Sequence, residues 1–263
     1  MINRKTAFIK RFFQDFYLVL IVVFLYAPIA TMTVLSFNNS KSRTQWGGFT
    51  TRWYTELFSS STIMDALYTT LLIAFVSSLI AVIIGTAAAI AINSMKPFPR
   101  SLLMGITNIP MLNADIVTGI SLMLAFIAFG ISLGFKTILI AHITFNIPYV
   151  ILSVMPKLKQ TDKSTYEAAM DLGATSVSAF FKVVFPDILP GVLSGFLLAF
   201  TMSLDDFIIT HFTKGAGINT LSTLIYSEVR RGIKPSMYAL STIIFLTVLV
   251  LLLITNFAPK RKK

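Results

Sequence analysis

Residues 66–92 read ALYTTLLIAFVSSLIAVIIGTAAAIAI, a run of 27 residues without a single charged side chain. A helix needs about 20 mostly apolar residues to cross the hydrocarbon core of a bilayer. The apolar residues follow one another directly, whereas a helix with one buried face would show them at intervals of three and four. The run therefore predicts a transmembrane helix and, with it, an integral membrane protein.

Five further stretches have the same character. The six predicted spans cover residues 16–36, 66–92, 102–127, 137–156, 189–209 and 238–257. The first follows a basic segment, as the core of a signal peptide does, but its apolar run exceeds the roughly 7–15 residues of such a core. We therefore expect an uncleaved span. The predicted fold is all-α, with six transmembrane helices in a single domain over residues 1–263.

The composition agrees with a membrane protein. Hydrophobic residues make up 55% of the chain and charged residues only 13%, against about 25% charged in soluble domains. The chain has no cysteine, which excludes disulfides and thiolate chemistry, and its two histidines make a His-rich metal centre improbable. The net charge of +11 comes from short basic clusters beside apolar blocks, a pattern of membrane flanks and not of a nucleic-acid-binding face.

Lysine and arginine placement predicts the orientation. With the N-terminus inside, 14 of the 22 basic residues fall on inner segments and 8 on outer segments. Because basic residues accumulate on the cytoplasmic side, both termini are predicted to be cytoplasmic. The outer segment 37–65 contains Trp46, Trp53 and Tyr54, rings that we expect at the membrane–water interface.

Residues 157–188 form the largest predicted cytoplasmic loop. Helix formers from Glu167 to Leu172 are followed by Gly173, which suits the left-handed position that ends a helix. A second short helix is predicted from Ser176 to Phe185, ended by Pro186, with the fifth span beginning at Pro190. Such a helix–Gly–helix elbow is either an interfacial linker or a low-profile surface that another protein grips.

The elbow resembles the cytoplasmic loop of ABC importer permeases. That loop has Glu-Ala-Ala, three residues, Gly, nine residues and Ile-x-Leu-Pro; here the same spacing separates Glu167-Ala168-Ala169, Gly173 and Val183-x-Phe185-Pro186. The resemblance implies a type I importer permease (MetI-like) fold. It also implies that the loop is a coupling helix docking into a cytoplasmic ATPase. The implied ATPase-coupling residues are Glu167, Ala168, Ala169, Gly173, Val183, Phe185 and Pro186.

Carboxylates inside the predicted spans point to the cargo. Asp115 lies midway along the third span, and Asp205 and Asp206 lie near the outer end of the fifth. An Asp at the centre of a span costs roughly 2.5–3.5 kcal/mol on insertion scales, so such residues are functional candidates. With no Lys or Arg inside any span, they imply a cationic cargo, a basic residue from a partner chain, or protonation.

Each carboxylate also has a structural interpretation. Asp115 could line a pore or make hydrogen bonds between helices. One of the adjacent pair could cap a helix or pair with Lys214, because neighbouring side chains on a helix project about 100° apart. Asn146 adds a polar group to the predicted substrate pathway, and Tyr149 and Phe207 add ring faces that attract cations.

Several stretches between about residues 45 and 245 resemble the permeases of spermidine/putrescine importers. They include Trp46-x-Gly48-Phe49-Thr50, His142-x-Thr144-Phe145, and Ser203-Leu204-Asp205-Asp206-Phe207. The resemblance implies a bacterial inner-membrane permease that pairs with a homologous permease, two ATP-binding cassette ATPases and an outer polyamine-binding protein. We expect no cofactor in this chain, because it has no Gly-Lys pair and hence no Walker-type loop; ATP and Mg would serve the partner ATPase. We expect no nucleic-acid partner.

Three other functions remain possible from the sequence. The first is an ABC importer permease for another small solute, although uncompensated carboxylates argue against an anion. The second is a secondary transporter or channel that works without ATP. A membrane enzyme is the most distant, because no catalytic or metal-ligating constellation is visible in the sequence. Whether an ATPase co-purifies with the chain separates the first from the second.

Overall fold

The computed structural model describes residues 4–42 and 44–257, with side chains described for 14–42, 44–162 and 164–250. These ranges are almost entirely helical. The helices are α1 (Arg4–Leu35), α2 (Arg52–Ser59), α3 (Ser61–Ser94), α4 (Pro97–Leu112), α5 (Asp115–Ala128), α6 (Phe135–Gln160), α7 (Lys163–Asp171), α8 (Ser176–Ala179), a π-helical turn (Phe180–Val184), α9 (Phe185–Asp205), α10 (Ile208–Thr213), α11 (Leu221–Arg231) and α12 (Pro235–Phe257).

Four helical segments in the described ranges are long and apolar enough to cross a membrane: Gln14–Leu35, Ser61–Ser94, Phe135–Gln160 and Ser176–Asp205. A bent pair, α4 with α5, qualifies as a fifth. The sixth predicted span falls within α12. The all-helical membrane fold is confirmed, whereas the count of six and the cytoplasmic termini stay predictions. The basic C-terminal residues behind that orientation, Lys260–Lys263, lie outside the described residues.

The third predicted span, 102–127, is not one straight helix. The axes of α4 and α5 are bent by 103°, with Asn113 and Ala114 in extended conformation between them. Asp115 is consequently the first residue of α5 instead of a residue in the middle of a helix. Hydropathy measures only the length of an apolar run, so it does not detect a change of direction within the run.

The predicted stop at Pro186 is wrong, because the chain is helical from Ser176 through Asp205. Proline lacks an N–H and its ring crowds the carbonyl of the preceding turn. The π-helical turn before Pro186 accommodates both the missing donor and the crowding. In it, the N–H of Phe185 bonds to the carbonyl of Phe180 five residues earlier. The fifth span also differs from the predicted 189–209, because α9 ends at Asp205 and a short α10 follows Phe207.

The described chain divides into two compact units, one containing the residues up to Ile63 and from Ser227, the other Met64–Tyr226. In the first unit, α2 packs on α12. Trp53 is only 2% exposed and its indole N–H donates to the carbonyl of Asn38 at 2.7 Å. The ring of Trp53 is therefore a core anchor, while Trp46 is exposed; their position at the membrane–water interface stays a prediction.

In the second unit, α3, α6 and α9 pack closely through glycines. A Cβ atom on Gly85 of α3 would lie 2.7 Å from the Val150 side chain of α6, and one on Gly195 of α9 would lie 3.4 Å from Val150. Such approaches let three helices share one contact line, which we call the seam, and they explain why Val150 is fully buried. The seam connects the two ends of this unit that carry the candidate residues.

Candidate functional site

The elbow, residues 163–186, begins with α7 and turns at Gly173. The carboxylate of Asp162 accepts a hydrogen bond from the Ser164 N–H at 2.9 Å and so caps α7. Gly173 has φ +87°, and its N–H donates to the carbonyl of Met170 while that of Ala174 donates to Ala169. These two bonds form the Schellman arrangement. The prediction that Gly173 ends the first elbow helix is confirmed.

In the second half of the elbow, some apolar side chains are partly buried and others are exposed. Phe180 and Val184 are partly buried, whereas Val177 and Phe181 are 67% and 59% exposed. Leu172, next to the turn, is 89% exposed. The elbow therefore presents apolar side chains that the described part of the chain does not cover.

The predicted coupling residues lie along this elbow. Glu167, Ala168, Gly173 and Pro186 are exposed, and Ala169, Val183 and Phe185 are partly buried. Beneath the elbow lies a groove of about 430 Å³, bounded by Glu167, Tyr166 and Phe180 together with the last turns of α3 and α6. The structure thus brings the elbow residues to one end of the second unit.

The opposite end is an interruption between α9 and α10, the outer break, formed by Asp205, Asp206 and Phe207. Asp206 accepts hydrogen bonds from the N–H groups of Ile209 (3.2 Å) and Thr210 (2.8 Å) and from the Thr210 hydroxyl (3.0 Å). These bonds satisfy donors at the start of α10, as an acidic cap does. Asp206 therefore takes the capping role that the sequence left open.

A buried histidine completes the bonding of the outer break. Nε2 of His142, on α6, lies 2.9 Å from the Thr210 hydroxyl and 3.4 Å from the Asp206 carboxylate, and Nδ1 lies 2.5 Å from the Ser203 hydroxyl. Ser203 in turn contacts the Ser77 hydroxyl of α3 at 3.2 Å. Four helices are thereby tied together by side chains buried in the second unit.

The expectation that the carboxylates lack a basic partner within the chain is wrong for Asp206. The sequence signal was present, because an ionisable side chain inside a span marks a candidate site and His142 is one of only two histidines. What the sequence could not give was its partner, since 64 residues separate His142 from Asp206 along the chain (206 minus 142).

The other two carboxylates are unpaired. Asp205 and Asp115 are exposed, and neither makes a hydrogen bond or an ion pair with the described residues. Asp115 interacts electrostatically with the hydroxyl of Tyr149, whose ring packs on Phe145 at 5.3 Å. Two predicted pathway residues, Asp115 and Tyr149, are thus neighbours.

The two unpaired carboxylates belong to the same region. Gly119 of α5 packs directly on α10, where an added Cβ would lie 3.2 Å from the Phe212 ring and 3.4 Å from the Ile208 carbonyl. Asp115 is four residues before Gly119, which places it on the same helix face about 6 Å away. Asp205 precedes α10 by three residues. Asp115 thus lies near the packing of α5 on α10, and Asp205 lies just before α10 in the sequence.

Asn146, the remaining pathway candidate, is enclosed in the seam. Three residues of the outer break, Ser77, His142 and Ser203, are each eight positions along the chain from a residue of the glycine packing, respectively Gly85, Val150 and Gly195. Asn146 lies midway, at the level of Ala81 and Ala199, all three with 0% exposure. Neither its amide oxygen nor its amide nitrogen has a hydrogen-bond partner within the described residues.

Residues 81–263 match the family of binding-protein-dependent transport system inner membrane components. The putrescine transport system permease protein PotI of Escherichia coli (strain K12) is 41% identical over 228 residues, covering 84% of this chain and 81% of the relative. The spermidine/putrescine transport system permease protein PotC of Haemophilus influenzae is 35% identical over 253 residues, covering 96% and 98%.

Solved importer structures share the fold at lower identity. A bacterial ABC transporter involved in the import of the acidic polysaccharide alginate contains a chain with a TM-score of 0.72, 18% identity and 97% coverage of both chains. The MetNI methionine ABC transporter gives a TM-score of 0.58 at 20% identity, covering 75% of this chain and 95% of that one. The protein belongs to the family of inner-membrane permease subunits of ABC importers.

Proposed function

We propose that this permease moves polyamines inward through the bacterial inner membrane, driven by ATP that a separate cytoplasmic subunit hydrolyses with Mg. The exposed elbow is the observation that carries this proposal. Its apolar side chains at Leu172, Val177 and Phe181 lie at 59–89% exposure, on a segment with the family's spacing. Interfaces bury such apolar anchors in pockets of the partner.

In this mechanism two ATPase subunits close on ATP, and the elbow transmits the motion to the spans. The rigid turn at Gly173 and the unbroken helix from Ser176 to Asp205 support transmission, because a displacement at α8 moves α9 as one body. The seam would then alternate between inward-open and outward-open arrangements. A homologous permease would complete the translocation path as the other half of a heterodimer.

The unpaired carboxylates support a cationic cargo. Asp115 and Asp205 are exposed and unpartnered in the described chain, and relatives at 35–41% identity are named as putrescine and spermidine/putrescine permeases. A polyamine delivered by an outer binding protein would exchange its ammonium groups' hydration for contact with these carboxylates and the neighbouring rings.

The decisive experiment isolates the complex that co-purifies with this chain and measures its ATP hydrolysis in lipid. The binding protein is added together with a panel of polyamines, amino acids and anions. Stimulation by putrescine or spermidine is the expected result. Stimulation by another solute would support ATP-driven import but refute polyamines as the substrate. If no ATPase co-purifies under mild conditions, the coupling proposal is overturned in favour of ATP-independent transport.

The elbow itself is tested at Gly173. Proline cannot adopt φ +87°, so Gly173→Pro should abolish uptake while the protein still inserts into the membrane. Gly173→Asn is the matched control, because Asn tolerates the left-handed region and an added Cβ meets no atom within 4 Å. Normal uptake by the proline variant would contradict a coupling role for the elbow.

A further inference from the structure

Phe207, His211 and Tyr226 form an aromatic cluster beside the outer break. The ring centroids of Phe207 and Tyr226 lie 4.4 Å apart, those of Phe207 and His211 5.2 Å, and those of His211 and Tyr226 6.4 Å. His211 and Tyr226 were not among the pathway residues that the sequence suggested. The cluster combines side chains of α10, α11 and the break between α9 and α10.

A side-chain hydrogen bond ties α11, which carries Tyr226, to the outer break. The hydroxyl of Ser222 donates to the main-chain carbonyl of Asp206 at 2.7 Å, which pins the first turn of α11 to the outer break. Tyr226 follows Ser222 by four residues and His211 follows Phe207 by four, so each pair shares a helix face. The bond from Ser222 to Asp206 therefore helps to position Tyr226 beside the outer break.

The cluster remains accessible although its rings pack on one another. Tyr226 retains 44% of its surface exposed, and His211 is also exposed. Neither imidazole nitrogen of His211 makes a hydrogen bond with the described residues. A surface of aromatic faces is thus open beside a polar break, although buried aromatic packing would have been sufficient for stability alone.

The charges around the cluster favour a cation. Asp205 is two residues before Phe207, and Asp115 lies on the helix whose Gly119 packs against Phe212, which itself contacts the His211 ring at 5.5 Å. Two cations lie near the cluster in sequence: Lys214 donates to the Asn219 side chain at 2.7 Å, and Arg230 is four residues after Tyr226 on α11. Ring faces carry negative electrostatic potential and attract ammonium groups.

We propose that the aromatic cluster is a binding station for an alkylammonium group of the cargo, with Tyr226 and His211 as specificity-determining residues. The inference rests on the proposed polyamine transport. The rings attract the ammonium group and cover the adjoining methylene carbons, while Asp205 supplies the opposite charge. A zwitterionic solute of similar size is disfavoured, because its carboxylate would face Asp205 and the negative ring faces.

The test measures uptake of labelled putrescine and spermidine by the complete importer in proteoliposomes with its binding protein. Tyr226→Leu removes the ring and should raise the apparent KM by about two- to thirtyfold, the range that a cation–π contact of 0.5–2 kcal/mol gives, at unchanged kcat. Tyr226→Phe keeps the ring and should keep the KM. His211→Lys places a positive charge in the station and should raise the KM further, whereas His211→Phe should not.

Phe58→Leu is the matched control, because this ring is 63% exposed in the other unit and should leave KM unchanged. If the cluster served only as a membrane-interface anchor, Tyr226→Leu would change thermal stability in lipid without changing KM, and the proposal would be overturned. An equal increase in KM for Tyr226→Phe and Tyr226→Leu would overturn it as well, since the hydroxyl and not the ring would then contribute the binding. A wild-type complex that polyamines do not stimulate would refute the proposed function instead.

Should Tyr226→Leu fail to assemble, the His211→Lys and His211→Phe pair decides the question. The His211 imidazole is exposed and makes no hydrogen bond with the described residues, so neither change removes a buried contact of the fold. Equal KM values for both His211 variants would contradict the proposal that the aromatic cluster binds an ammonium group.

Discussion

The elbow and the outer break lie at opposite ends of the same helical stretch, and their side chains are arranged in opposite ways. At the outer break, His142 is buried, Asp206 is partly buried, and both are bonded within the chain. At the elbow, Leu172 and Val177 are apolar and exposed. A segment that satisfies its own polar groups needs no partner to be stable, whereas exposed apolar side chains gain free energy only when something covers them.

The difference separates structural residues from residues available for function. Asp205 and Asp206 are adjacent in sequence, yet Asp206 caps α10 and the Asp205 carboxylate makes no hydrogen bond or ion pair with the described residues. An unpaired carboxylate is available to a ligand without the loss of a bond that holds the fold. Mutations should therefore affect stability at the bonded residues and transport at the exposed ones.

Removing the histidine should produce the largest effect on stability. His142→Phe keeps a ring of similar size but removes the imidazole contacts of Ser203, Thr210 and Asp206, and each buried polar group left unsatisfied costs about 1–3 kcal/mol. The midpoint of thermal unfolding of the purified protein in lipid nanodiscs should fall accordingly. Asp205→Asn is the control and should unfold like the wild type. An unchanged midpoint for His142→Phe would contradict the view that the bonded side chains of the outer break, unlike the exposed ones of the elbow, stabilise the fold.

A substitution in the seam between the two ends should raise the unfolding midpoint instead of lowering it. Asn146 is buried with an unsatisfied amide, and a buried polar group without a partner costs about 1–3 kcal/mol. Asn146→Leu, of similar size, should therefore raise the unfolding midpoint and lower the transport rate, because it favours the observed packing of the seam. Asn113→Leu, at an exposed position, should leave the midpoint unchanged. A lower midpoint for Asn146→Leu would indicate that the amide is bonded in the native protein.

Substitutions at the elbow should affect assembly and spare stability. Leu172→Ser and Val177→Ser remove exposed apolar anchors, and a loss of about 1–2 kcal/mol for each corresponds to roughly five- to thirtyfold weaker association with the ATPase. Surface changes of this kind alter unfolding by about 0.5 kcal/mol or less. Leu193→Ala, 54% exposed on α9 but within a predicted span, is the control for binding. Retention of the ATPase by both serine variants would show that another surface holds it.

The sequence predicted those features that are written in local patterns. Apolar runs identified the helices, and Gly173 identified the end of α7 because glycine tolerates a positive φ. The bend after Leu112 was missed because an apolar run continues through it. Continuation of the helix through Pro186 was missed because it depends on a π-helical turn that no residue pattern announces.

The candidate site was predicted in its residue types but not in its pairings. Asp115, Asp205 and Asp206 share one signal, a carboxylate in an apolar segment, and the signal does not separate the capping residue from the unpaired ones. That separation depends on His142 and Thr210, contacts made across the fold. The burial of Trp53 was missed for the same reason, because the packing of α2 on α12 joins residues that are far apart in the sequence.

The smallest effect is expected at Asp162, where the elbow uses the same kind of cap as the outer break but in full contact with water. The hydrogen bond from the Ser164 amide, assisted by its side chain, holds the pKa of Asp162 below the ordinary value of 3.8. A depressed pKa means that the ionised carboxylate stabilises α7 above pH 3.8, and that this stabilisation is lost as the pH falls through the lower folded-state pKa. The chemical shift of the Ser164 amide should therefore titrate at acidic pH. Asp162→Asn keeps an oxygen that caps the helix equally well but cannot titrate, so its amide shift should stay constant over the same range. Titration of that amide in both proteins would assign the proton to another group, and the cap would then contribute no pH dependence to the elbow.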